Sequence, residues 1–297
     1  MRNVINIIGR FYLYQKERFP VLPLLLGIIP ATLSSSAVLP SNLTVATFCA
    51  AVAGSFAYLL HVRIVDELRD FEHDVLYHPT RPLQSGAISR RELRYVDVTA
   101  VTVLLVIAFT AGASAVVIAL TMLGYTYLAG KEFYVGEALR KRFFIYNALN
   151  LAQMLLMQLF VYALFAPRIS FSLLLLAHFL FTTVGTIIFE FVRKLKVPGE
   201  DGVGKDTYTY YLGFGVAHST YLVLLAMNTL LFLLVMWIIP ASAIPMFVGG
   251  GCAAVALLIA FFHRVKRTKD SDRLMQFSFV VVYGIFNLAI YIAKIYG

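Results

Sequence analysis

The sequence predicts an all-α polytopic membrane protein, a bundle of nine transmembrane helices. Three observations carry this. Of its 297 residues, 60% are hydrophobic and only 14% are charged, against about 25% charged in a soluble domain. The apolar residues gather into nine runs, near 19–36, 44–63, 94–111, 113–130, 143–166, 171–192, 213–239, 243–263 and 274–294, each near the ~20 residues that cross a bilayer as a helix. Basic residues alternate from loop to loop in step with that count.

The alternation also orients the chain. Arg2, Arg10, Lys16 and Arg18 precede the first run; Arg63, Arg69, Arg81, Arg90, Arg91 and Arg94 surround the 2–3 loop. Lys131, Arg140, Lys141 and Arg142 fill the 4–5 loop, and Arg193, Lys194, Lys196 and Lys205 the 6–7 loop. Arg264, Lys266, Arg267, Lys269 and Arg273 fill the 8–9 loop, leaving only Arg168 and Lys294 for the other side. Basic residues mark the cytoplasmic face, so the N-terminus is expected there and the C-terminus opposite. The run at 19–36 lacks a clear cleavage site and reads as a retained span.

The net charge of +9 is thus a topology signal, and no basic motif with interleaved aromatics calls for a nucleic acid. Cys49 and Cys252 lie in apolar runs and are expected to be buried, inert thiols. One membrane domain spans 1–297, with no soluble appendage and no feature naming a protein partner. The third and fourth runs share a turn near Gly112, and Gly249-Gly250-Gly251 in the eighth allows close packing or a kink. The expected partners are the bilayer itself and whatever enters from the cytoplasmic side, because the acidic residues lie there and the far loops are short and uncharged.

The second run ends in HVRIVDELRDFEHD. With Asp66 at zero on a helical wheel, Asp70 lies at ~40°, Asp74 at ~80° and Glu67 at ~100°, on one face. Carboxylates so crowded repel one another, and a divalent cation such as Mg²⁺ relieves the conflict; a solvated acidic helix end is the plainer alternative. GEDGVGKDT at 199–207 is a near miss to a phosphate-binding loop, but Asp206 occupies the Ser/Thr position and a membrane helix precedes it.

DELRDFEHD followed by HPTRPLQSGAIS resembles the first signature of the UbiA superfamily of intramembrane prenyltransferases, N-D-x-x-D-x-x-x-D and then R-P-x-x-S-G-x-I-S. Asp66 stands for the Asn and Glu67 for the first Asp; Asp70, Asp74, Arg81, Pro82, Ser85, Gly86, Ile88 and Ser89 match directly. The resemblance implies a helical bundle around a central cavity open towards the cytoplasmic side. It also implies Mg²⁺ held by Asp66, Glu67, Asp70 and Asp74 on a prenyl diphosphate, and Arg81 and Lys131 as diphosphate contacts. The activity implied is transfer of the prenyl group to an acceptor with release of pyrophosphate, Asp70 and Asp74 being the catalytic carboxylates. A terpene cyclase on the same scaffold, acting without an acceptor, is the alternative.

The second family signature, D-x-x-x-D trailed by G-D-x-x-x-G-K-x-T, is altered. Gly199, Glu200, Gly204, Lys205 and Thr207 fit the tail, but Arg193 and Lys196 stand where the inner carboxylates belong. Arg193, Lys194 and Lys205 are candidate diphosphate contacts, with topology anchoring as the other reading for the first two. Glu190 is left as the acidic candidate of that helix: a metal ligand, a base, or the ion-pair partner of Arg193. On the fifth run Asn147, Asn150 and Gln153 either line the cavity and orient an acceptor or tie helices together.

Overall fold

The computed structural model describes residues 2–40, 43–166, 168–199, 206–239 and 243–296, with side chains from residue 9 onward. Among them there are thirteen α-helices, one 3-10 turn and no strand. Eight of the described helices are long and apolar enough to cross a membrane, or nine if the pair Gly9–Arg18 and Val21–Ala37, bent by 60°, is one span. The protein is an integral, multi-pass membrane protein. With no water in the hydrocarbon to satisfy the backbone, helices are the solution open to runs of this length.

The first span differs from the run expected. Helix α1 (Arg2–Arg18) stops just before Phe19-Pro20, and α2 (Val21–Ala37) starts after it. Proline disfavours helical geometry in the residue before it, so the chain turns there. Helix α3 (Val45–Arg69) has 25 residues, about 37 Å at ~1.5 Å per residue against a hydrocarbon core of ~30 Å. It therefore outruns the apolar stretch and carries Asp66 and Glu67 beyond it. Helix α4 (Phe71–Tyr77) follows a slight bend at Asp70. Hydrogen-bond register passes through the bend, from Asp70 N to Asp66 O and from Asp74 N to Asp70 O, both 2.9 Å.

The loop 79–89 is held by its own sequence. Leu83 and Ile88 are buried against Tyr14, Phe19, Ile64 and Leu93. Gly86 takes φ +76°, a conformation that favours glycine. Ser89 begins α5 (Arg90–Ala111) with a reciprocal cap: its Oγ accepts from Glu92 N, and Glu92 accepts from Ser89 N. Gly112 ends α5 and begins α6 (Ala113–Gly130), the shared turn the sequence places there. A 3-10 turn (Glu132–Tyr134) and α7 (Gly136–Arg140) lead to α8 (Phe143–Phe165).

The chain packs as two compact units, one of Met1–Ile28 with Val45–Pro167, the other of Ile29–Thr44 with Arg168–Gly297. In the first, α3 packs on α5 and α8, and α6 on α8. The second holds α9 (Leu173–Arg193), α10 (Tyr208–Leu212), α11 (Phe214–Ile238), α12 (Ala243–Lys266) and α13 (Lys269–Tyr296). There α12 packs along α13 and α9 along α11. A Cβ on Gly249 would lie 2.5 Å from the Phe232 ring, whereas Gly250 and Gly251 have open space. Close packing thus uses one glycine of the three.

The cysteines are a correction. Cys49 is exposed on its helix and Cys252 partly so. An apolar run in a membrane protein has a lipid-facing side, so residence in a span does not entail burial in protein.

Candidate functional site

Glu67 and Asp74 turn inward and are only 1% and 3% exposed. Three arginines meet them. Arg18, at the end of α1, donates from Nε to Glu67 Oε1 at 2.6 Å and has Nη2 3.9 Å from Asp74. Arg63 pairs with Glu67 from one helical turn earlier, and Arg81 of the loop pairs with Asp74. His73 Nδ1 lies 3.6 Å from Asp74. Glu67 Oε2 is buried without a hydrogen-bond partner among the described residues. Buried carboxylates persist only when paired in this way.

Asp66 and Asp70 are the reachable members, with side chains 30% and 38% exposed. Arg69 holds both. Its Nη1 is 3.0 Å from Asp66, and its Nε and Nη2 donate to the two oxygens of Asp70 at 2.8 and 2.9 Å. The Arg69 guanidinium also lies over the Tyr146 ring, 5.5 Å from its centre. The single acidic face of the helical wheel is therefore divided into a sealed pair and an accessible pair. Among the described residues no three His, Cys, Asp or Glu side chains converge as a ready-made metal cage. The wheel gave the angles; it did not show that Arg18, Arg63 and Arg81, which it treats as topology or phosphate residues, neutralise half the set.

Lys131 caps the end of α6. It lines a cleft of about 540 Å³ whose walls include Val65, Leu68, Val101, Leu123 and Arg69. Inside the cleft His61 Nδ1 meets Asp97 Oδ1 at 2.6 Å. Sequence reading passed over this pair. Its signal was an aspartate within the apolar run 94–111, a position where an ionisable side chain is costly. Beyond the spans, Glu132 accepts from Arg140 Nε at 2.7 Å, and this contact holds the Arg140 guanidinium above its ordinary pKa.

Of the α8 amides, Gln153 ties helices together, while the bonds seen at Asn147 and Asn150 run within α8. Gln153 is buried and accepts from Thr126 Oγ1 at 3.0 Å, and Thr126 meets Tyr58 OH at 2.9 Å. Helices α3, α6 and α8 are thereby tied together. Asn147 is buried and donates to Phe143 O at 2.8 Å, and Asn150 O accepts from Gln153 at 3.4 Å.

In the second unit Glu190 accepts from Arg193 Nη2 at 2.7 Å and lies 2.9 Å from Lys194 Nζ. The ion-pair reading of Glu190 is the one observed. Lys196 faces Asp272 at 3.6 Å. Thr209 bonds both the N and the O of Lys196, at 2.8 and 2.9 Å, and Tyr208 stacks on Phe191 with ring centres 4.1 Å apart. These contacts hold Tyr208 and Thr209 against the end of α9. Lys205, Glu200 and Gly204 lie outside the described residues.

No family model and no curated protein matches the sequence. Solved structures do match the fold. A UbiA homologue from Archaeoglobus fulgidus bound to GPP and Mg²⁺ aligns over 95% of this chain and 99% of its own, with TM-score 0.64 and 14% identity. A digeranylgeranylglyceryl phosphate synthase aligns over 97% and 99%, with TM-score 0.63 and 16% identity. The chain has the UbiA fold. An apo UbiA homologue from Aeropyrum pernix K1 covers 86% of this chain and 94% of its own at TM-score 0.62 and 14% identity. At such identities the likeness is one of architecture, and within that UbiA architecture the side chains must argue for themselves.

Proposed function

We propose that the protein is a Mg²⁺-dependent intramembrane prenyltransferase, moving an isoprenoid group from a prenyl diphosphate to an acceptor and releasing pyrophosphate. The observation that carries the reading is the accessible Asp66–Asp70 pair on Arg69, backed by the sealed Glu67–Asp74 pair. Supporting it are the UbiA fold and the UbiA homologues solved with GPP or DMAPP and Mg²⁺.

The donor set fits the metal. Mg²⁺ commonly takes one or two carboxylates and completes its shell with water and substrate phosphate. Asp66 and Asp70 are two reachable oxygen donors about one helical turn apart, and Arg69 beside them suits a diphosphate as well as it suits a carboxylate. When bound, Mg²⁺ supplies charge neutralisation of the leaving diphosphate.

The chain's own residues do the rest in this reading. Asp66 and Asp70 hold the metal-bound head of the donor, while Glu67 and Asp74, locked by Arg18, Arg63 and Arg81, fix the frame that aims them. Arg193 and Lys194, with Lys131 and Lys205, are the candidate diphosphate contacts. Arg193 is paired with Glu190 and mostly exposed. Apolar spans exclude water from the allylic cation that forms as the C–O bond breaks.

Orientation belongs to the same proposal: the basic loops, the acidic motif at 66–74 and the altered second signature face the cytoplasm. The test is pyrophosphate release from geranylgeranyl diphosphate by the purified protein with Mg²⁺ and with EDTA, the products being identified by mass. Metal-dependent release with a prenylated acceptor supports the transferase. Release with a cyclic hydrocarbon or alcohol and no acceptor would make it a cyclase. No release with any prenyl donor sinks the reading.

A further inference from the structure

We propose that the groove between α1, α3 and α5 seats one acyl chain of an anionic phospholipid, and that Arg91 meets the lipid phosphate. This goes beyond the prenyltransferase reading and does not rest on it.

The groove holds about 530 Å³, within the ~300–1,000 Å³ of small-molecule sites. Small side chains line it, Ala53 and Ala57 from α3 and Ala100 from α5, between taller walls at Phe56 and Leu60. Thr99 also lines it, but its hydroxyl donates back to Tyr95 O at 2.9 Å, so the wall offers little polarity. From Glu92 to Val103 the groove runs about 16 Å along α5, at ~1.5 Å per residue. That is about one leaflet of a ~30 Å hydrocarbon core, the length of a single acyl chain's half of the bilayer.

The surroundings choose the occupant. Ala53, Thr99 and Val103 are exposed, and on membrane-spanning helices at this depth an exposed side chain faces lipid rather than water. A chain from the bilayer therefore fills the groove. Lipid tails are as apolar as leucine, so the groove by itself gives no preference for one lipid over another. Any preference has to come from its mouth.

The mouth is basic. Glu92 lies there, but it accepts from Arg10 Nη2 at 2.6 Å and from Ser89 N at 2.8 Å, so its charge is neutralised within the protein. Arg91 donates from Nε to Tyr95 OH at 3.0 Å, and its guanidinium carbon lies 5.6 Å from the centre of that ring. Tyr95 lines the groove, so the two contacts hold a guanidinium at its edge. Arg91 has no carboxylate partner among the described residues, and a guanidinium fork suits a phosphate. Two arginines thus stand against one carboxylate. Tyr95 is 60% exposed, and tyrosines of this kind sit at headgroup level. A negative head over a one-leaflet chain is the complement of this site.

The experiment is native mass spectrometry of the full-length protein in detergent, titrated with dioleoyl phosphatidylglycerol or dioleoyl phosphatidylcholine. One phosphatidylglycerol is expected to bind ahead of the rest, about fivefold tighter than the first phosphatidylcholine, the factor that one basic residue contributes at a lipid surface. Arg91→Gln removes that fivefold preference and leaves phosphatidylcholine binding unchanged. Ala53→Phe and Val103→Phe fill the groove from opposite sides and weaken the first step for both lipids, with thermal midpoints confirming that the variants are folded. A first phosphatidylglycerol constant that Arg91→Gln does not move, or that both filling variants leave unchanged in folded protein, overturns the proposal. Displacement of the bound lipid by geranylgeraniol overturns it in favour of a prenyl-tail site, and a protein dimer that the filling variants dissociate overturns it in favour of a contact between copies. Should neither filling variant fold, the Arg91→Gln comparison decides alone.

Discussion

Arg69 grips Asp70 with both prongs of its guanidinium, Nε to Oδ1 at 2.8 Å and Nη2 to Oδ2 at 2.9 Å. The pair sits at the bend between α3 and α4, where the carboxylate stays accessible although both of its oxygens accept from Arg69. Asp70 is thus pre-aimed, and a cation has to share it with Arg69 rather than desolvate it. Asp70→Asn keeps the shape, removes the charge and forfeits one acceptor. It is expected to cost at least ~10²-fold in Mg²⁺-dependent pyrophosphate release, the range for loss of an electrostatic stabiliser, with little change in thermal midpoint. Wild-type turnover in that variant would remove Asp70 from the metal set.

The sealed pair predicts the opposite pattern. Glu67 is 1% exposed and answers both Arg18 and Arg63. Glu67→Gln leaves two guanidinium groups facing a neutral amide in a nearly dry site. Breaking one side of a buried pair costs ~3–5 kcal/mol. The expected result is a thermal midpoint in detergent well below that of Asp70→Asn, read by intrinsic fluorescence. Equal midpoints for the two variants would show that the division into sealed and accessible carboxylates has no energetic content.

The fold was legible because a membrane imposes a coarse and redundant code. Run length, loop charge and the Gly112 turn each restrict the same answer. The site was legible only as far as local periodicity reaches. Spacing puts Asp66 and Asp70 together, and their backbone register carries through the bend. Spacing is silent on Arg18, 49 positions before Glu67 in the chain, because a long-range ion pair leaves no period. The His61–Asp97 pair spans 36 positions and was hidden for the same reason. Glu190 was legible as ambiguous, and the structure shows it paired with Arg193 and Lys194.

Orientation gives a third prediction. The N-terminal, 2–3, 4–5, 6–7 and 8–9 segments hold every basic residue except Arg168 and Lys294, and such an excess faces the cytoplasm. A tag following Gly297 is therefore expected to be cleaved by protease added outside intact cells, and a tag before Met1 to be protected. The reverse pattern would put the acidic motifs on the far side, away from cytoplasmic prenyl diphosphates.

Gly249 offers a test of packing in the second unit. Its backbone lies under Phe232, which stacks on Phe286 with ring centres 4.2 Å apart. A Cβ at 2.5 Å from the Phe232 ring, with Phe286 at 3.3 Å behind it, leaves the ring nowhere to retreat. Gly249→Ala is expected to destabilise by ~1–3 kcal/mol through overpacking. Alanine at Gly250 or Gly251 meets open space, and removing a helical glycine should stabilise by ~0.5–1 kcal/mol. Thermal midpoints of the three single variants would read the difference directly. A Gly249→Ala midpoint at or above the other two would mean that α11 and α12 are not packed as closely as described.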